Sequence, residues 1–66
     1  MQLKQALALH GYTVVDFYNR LARRYVVTYQ QIARYCRCDN RSHLDPVIWS
    51  WIMGELKEMG VEWSGR

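Results

Sequence analysis

Apolar positions in the first ten residues recur at three- and four-residue spacing. Leu3, Ala6, Leu7 and His10 share one face, which predicts a helix from Met1 to His10 with His10 at the rim of the core. Gly11 is a natural stop, because glycine accepts the left-handed conformation that ends helices. Thr13 then reads as an N-cap with Asp16 in the first turn, where an acid suits the positive helix end. The stripe Val14, Phe17, Tyr18, Leu21, Ala22 and Tyr25 predicts a second helix to about Tyr25, with Asp16, Asn19, Arg20, Arg23 and Arg24 on its other face. Val26 and Val27 break that period. Thr28 followed by Gln31 has the pattern of a capping box, and it opens a third helix to about Arg37. Ile32, Tyr35 and Cys36 would face inward on it, joined by Tyr29, while Thr28, Gln30, Gln31, Arg34 and Arg37 face outward. Cys38 to Leu44 is a polar connection of ordinary length. Asp45 caps a fourth helix, Pro46 fits its first position, and Gly60 follows its end at about Met59. Ile48, Trp49, Ile52, Met53, Leu56 and Met59 form its apolar arc; Val47 and Trp51 lie outside it. Val61 and Trp63 can fold back on the core. The predicted fold class is all-α, a small bundle of four short helices with Leu7, Phe17, Leu21, Ile32, Ile52 and Leu56 inside.

Length and composition narrow this picture. The 66 residues make one domain, 1–66, with a modest core that a partner would support. Half the residues are hydrophobic and only one is proline, which argues against disorder. No apolar run approaches a membrane span, and no basic region followed by an apolar run suggests a signal peptide. Cys36 and Cys38 are too close in sequence to staple distant parts, so a reducing, cytoplasmic setting is expected.

Charge is more informative. The net charge of +3 hides an asymmetry: Arg20, Arg23, Arg24, Arg34, Arg37 and Arg41 face one acid, Asp39, across the middle of the chain. The last part reverses this, with Asp45, Glu55, Glu58 and Glu62 against Lys57. A basic middle can neutralise phosphates, and arginine does so with a planar fork of donors. It can also pair with the acidic segment, or remain a solvated face.

Chemistry for catalysis is not visible. Cys36 and Cys38, even with His10 and His43, lack the spacing of a zinc site, so no metal is expected. No nucleophile has a partner set and no glycine loop cradles phosphate. Glu55, Glu58 and Glu62 read as a solvated helix face. The expectation is a protein without cofactor that is not an enzyme.

The stretch from Tyr18 to Arg37, YNRLARRYVVTYQQIARYCR, carries inward candidates at Leu21, Ala22, Tyr25, Val27, Ile32 and Tyr35 around a tight bend at Val26–Val27. Ala22 is small, as a helix crossing would need. This framework resembles the helix-turn-helix of Cro- and repressor-type DNA-binding proteins. It departs from that family at the bend, where glycine is usual and this chain has Val26. The resemblance implies a small, phage-like, sequence-specific transcription regulator. Its third helix would enter the major groove of double-stranded DNA with Gln30, Gln31 and Arg34 at base edges, glutamine suiting adenine and arginine guanine. Thr28, Arg20, Arg23, Arg24, Arg37 and Arg41 would contact the DNA backbone. The same residue types also suit any exposed helix face. Regulators of this type usually double their site by two-fold symmetry. A weak homodimer is therefore expected through Val47, Trp51 and Trp63, with Glu55 and Glu58 at the rim.

Thr28 to Trp63 also resembles a winged helix-turn-helix, in which the helix after Asp45 would read DNA. That helix is acidic and aromatic, and the connection before it is long, so the first register is preferred. The non-DNA alternative is a helical protein-interaction module, such as a phage-type inhibitor of a host protein, using Val47 and Trp51.

Overall fold

The computed structural model describes residues 1–41 and 43–63. It is an all-α bundle of four helices, α1 (Leu3–Leu9), α2 (Val14–Ala22), α3 (Tyr29–Cys36) and α4 (Pro46–Met59). Local chemistry sets most of their ends. The Thr13 hydroxyl accepts from the Asp16 amide at 3.0 Å, and Asp16 accepts in return from the Thr13 amide at 3.1 Å. Thr28 and Gln31 repeat the exchange at 3.1 and 3.0 Å. Each box satisfies two amides that a helix start would otherwise leave bare. At α1 a cap unforeseen in the sequence reading appears: the Gln5 side chain accepts from the Gln2 amide at 2.8 Å, so the helix begins at Leu3. At α4, Asp45 accepts from the Val47 amide at 2.8 Å and Pro46 occupies the first turn. Gly60 closes that helix at φ 74°, and the Val61 amide returns to the Leu56 carbonyl at 3.0 Å.

The second helix differs from expectation. It stops at Ala22, and residues 23–28 link it to α3, a longer connection than the expected bend at Val26–Val27. The amides of Arg24 and Tyr25 both turn back to the Leu21 carbonyl, at 3.0 and 2.9 Å, which tightens the chain and ends the helix. No described residue other than Gly11 and Gly60 has positive φ, so Val26 sits in the link without left-handed backbone. Its side chain is fully exposed, while Val27 tucks inside. Ala22, expected at a helix crossing, is exposed, and so is His10.

All six predicted core residues, Leu7, Phe17, Leu21, Ile32, Ile52 and Leu56, are 0–1% exposed. α2 packs on α3 and α4, and α1 packs on α3. The chain after Gly60 seals one end of the core. Trp63 stacks on Trp49 with centroids 5.6 Å apart, and its indole N–H donates to the Met1 carbonyl at 3.0 Å. Tyr35 meets Trp49 edge-on at 4.9 Å and its hydroxyl accepts from the Asp45 amide at 3.0 Å, which ties α3 to the start of α4. Among the described residues no helix is long and apolar enough to cross a membrane.

Candidate nucleic-acid interface

α3 buries Ile32, Ala33, Tyr35 and Cys36, which leaves Gln30, Gln31, Arg34 and the following Arg37 in solvent. Gln30, Arg34 and Arg37 are four and three residues apart, so they stand above one another on one side of the helix. No acid occurs between Asp16 and Asp39, so this surface carries no negative side chain of its own. Gln30 and Arg34 have their polar ends uncommitted. Arg37 uses its Nε on the Ala33 carbonyl at 3.3 Å, which leaves its terminal nitrogens. Gln31 is half used: its Oε1 holds the Thr28 amide, and only its NH2 remains to donate. Thr28 is likewise committed, through its hydroxyl, to the cap of α3. Tyr29, expected to turn inward, is 45% exposed and meets Tyr18 edge-on at 5.7 Å.

The expected backbone arginines divide into two groups. Arg23 is exposed just after α2, with no ion pair or side-chain hydrogen bond among the described residues; Arg41 is exposed in the connection before α4. Arg20 and Arg24 instead turn to α4. Arg20 Nε donates to Glu55 Oε2 at 3.0 Å. Arg24 grips Glu58 with both terminal nitrogens, Nη1 to Oε1 at 3.1 Å and Nη2 to Oε2 at 2.9 Å, and lies 3.9 Å from Glu55 Oε1. Hydrogen bonding and charge from Glu58, then the charge of Glu55, raise the Arg24 guanidinium above its ordinary range.

Glu55 corrects the reading of these acids as a solvated face, for its side chain is 3% exposed. Its position carried a signal: it falls three residues after Ile52 and four before Met59, inside the inward arc of α4. A carboxylate there needs partners, and Arg20 of α2 and Arg24 of the following link supply them. Glu58, one turn on, is half exposed.

The three residues expected at a dimer surface do not form one patch. Val47 is 53% exposed. Trp51 is half-buried, with its ring stacked on Tyr25 at 4.3 Å and 5° between planes. Trp63 is buried in the core, because the chain after Gly60 turns inward.

Other chemistry is sparse. Cys36 and Cys38 are not joined by a disulfide. Burial, helped by the charge of Cys38, pushes the Cys36 thiol up to about 12, so it is unreactive near neutrality. Among the described residues no three His, Cys, Asp or Glu side chains converge as a metal site would require. An open cleft of about 640 Å³ lies between the end of α4 and Val61–Trp63, lined by Met53, Leu56, Val61 and Trp63 with Lys57 and Glu62. Comparison of the chain with protein-family models, with curated proteins and with solved structures gives no match.

Proposed function

We propose that this chain is a small sequence-specific DNA-binding regulator that reads duplex DNA with α3. One observation carries the reading: the outward face of α3 offers Gln30, Arg34 and Arg37 at helical spacing, uncommitted at their terminal groups and free of acids. Gln30 and Arg34 are the base-reading residues. Gln31 contributes chiefly through its NH2, because its carbonyl oxygen is turned to the Thr28 amide in the cap. Arg23, Arg37 and Arg41 supply backbone contacts, with the α3 start at Thr28 near a phosphate. Arg20 and Arg24 leave the set of backbone contacts, since their charge is taken by Glu55 and Glu58. Three or four phosphate contacts correspond to a slope of log affinity on log salt of roughly −3 to −4.

Gel shifts from a randomised duplex pool test this. Arg34→Ala should relax sequence preference, and Arg23→Ala should weaken all sequences alike and flatten the salt slope by about one. No retardation of any duplex at low salt removes the reading. A second reading, a protein-interaction module, then takes its place. It is favoured by Val26, a branched apolar side chain wholly exposed in the α2–α3 link, and by the exposed Val47.

A further inference from the structure

The ion pairs from α2 and the link after it to α4 consist of one buried anchor and one exposed pair. Glu55 is the anchor, 3% exposed and held to Arg20 by the Nε edge at 3.0 Å. The other pair is at the surface, with the Arg24 and Glu58 side chains 52% and 48% exposed. The geometry at Arg24 decides what that pair does. Glu58 takes both nitrogens of the terminal fork, at 3.1 and 2.9 Å. A phosphate grips arginine through a fork of the same kind. The Glu58 carboxylate and a phosphate therefore compete for one edge of one side chain. Arg23, the preceding residue, has no such occupant. It lines a polar cleft of about 150 Å³ with Arg20, Arg24 and Glu55, and also a neighbouring cleft with Tyr12, Asn19 and Asp16. Asp16 forms no ion pair with it and is turned to the Thr13 amide.

We propose that Glu58 masks Arg24, so that Arg23 alone makes the phosphate contact at this end of α2. The choice of DNA as the natural polyanion rests on the reading above; the mask itself does not. The arrangement makes a close pair of arginines behave as one open cation. It limits non-specific affinity, which comes almost wholly from phosphate contacts, while leaving the α3 face untouched. Glu55 is a positioning residue in this scheme: it fixes Arg20 and draws Arg24 toward α4, where Glu58 closes on it.

The test compares charge removals that differ only in place. Glu58→Gln frees Arg24. Glu62→Gln removes one exposed acid near the end of the chain and serves as the baseline. Each variant is eluted from immobilised heparin by a salt gradient, and its affinity for an arbitrary duplex is measured across salt concentrations. The expected result is later elution for Glu58→Gln than for Glu62→Gln, with a duplex salt slope steeper by about 0.9, the increment for one added phosphate contact. Adding Arg24→Ala to Glu58→Gln should restore the slope of the parent. Equal behaviour of the two single variants overturns the mask. So does a double variant whose slope is flatter than the parent's, since Arg24 would then already touch phosphate. If no protein in the set retards duplex DNA while the heparin order holds, the DNA reading fails and the mask stands. Unchanged melting of Glu58→Gln shows that the fold is not the cause.

Discussion

Replacing Trp51 by alanine separates a core role for this residue from a partner contact. The ring is partly buried and lies flat on Tyr25, with centroids 4.3 Å apart. About two thirds or more of the tryptophan surface is covered, on the order of 150 Å², and burying it contributes about 3–4 kcal/mol. The stack adds about 0.5–1.5 kcal/mol beyond that area. The link relaxes partly onto the gap, so the expected loss is about 3 kcal/mol. A domain of 66 residues has only about 3–10 kcal/mol in total. Near the midpoint such a loss lowers Tm by roughly 20 °C. Circular dichroism melts of the parent and of Trp51→Ala read this directly. Tyr25→Ala and the double variant complete a cycle, whose coupling should be at least about 0.5 kcal/mol because the rings touch. Sedimentation at several concentrations reads association in the same samples. A Trp51→Ala protein that melts within a few degrees of the parent, yet loses self-association, would refute the stacking argument and make Trp51 a partner anchor.

Leu21→Ala and Ile32→Ala each open a cavity in the shared core and should cost about 2–5 kcal/mol, read from denaturant melts; an effect below about 1 kcal/mol would mean these faces are misplaced. Thr28→Ala removes the side-chain half of the α3 cap and should cost about 1 kcal/mol, with faster amide exchange in the first turn of α3. Stability should fall at alkaline pH through Cys36. Its thiol ionises near 9 in the unfolded chain and near 12 in the fold, so its contribution is complete below pH 9 and is lost as pH rises toward 12. The loss is at most about 4 kcal/mol. Cys36→Ala should flatten the fall of Tm over that window, and an unchanged profile would show that Cys36 is not its cause.

The sequence shows some helix ends and hides others, for physical reasons. Three independent signals agree at α4: Asp45 caps, Pro46 tolerates the first turn, and Gly60 accepts φ 74°. The bounds read from them match the structure. The end of α2 has no such marker. Tyr25 continues the apolar stripe of the helix but sits outside it, because its ring is needed on Trp51 and not on α3. A stripe records which residues are covered, not which backbone covers them. The cap of α3 was legible from Thr28 and Gln31, and its outward face followed from the period. The pattern does not show what the cap does to the site: the bond from the Thr28 amide fixes the Gln31 side chain toward the start of α3 and takes one lone pair of its oxygen. Trp63 shows the opposite limit. Its burial depends on Trp49 and the Met1 carbonyl, and so on contacts between the two ends of the chain.

The division of charge along the chain acquires its meaning from this packing. A basic middle and an acidic last helix permit two outcomes, mutual neutralisation or a free basic face. The fold realises each in a different place. Arg20 and Arg24 are four residues apart, so both point at α4, where Glu55 and Glu58 stand at the matching spacing of three. Arg23 keeps helical backbone, φ −71° and ψ −24°, and so projects about 100° away from that seam. α3 makes no ion pair with α4; its Arg34 and Arg37 keep their terminal groups in solvent. The pairs thus tie Arg20 of α2 and Arg24 of the following link to α4, while Arg23, Arg34 and Arg37 keep their terminal groups in solvent. A helix that neutralised its neighbour less selectively would leave six arginines spread around the molecule and no preferred face for a polyanion. In the proposed reading, this pairing would leave phosphate contact to Arg23 and to the arginines beside Gln30 on α3, and such contacts would orient the reading helix before any base is touched.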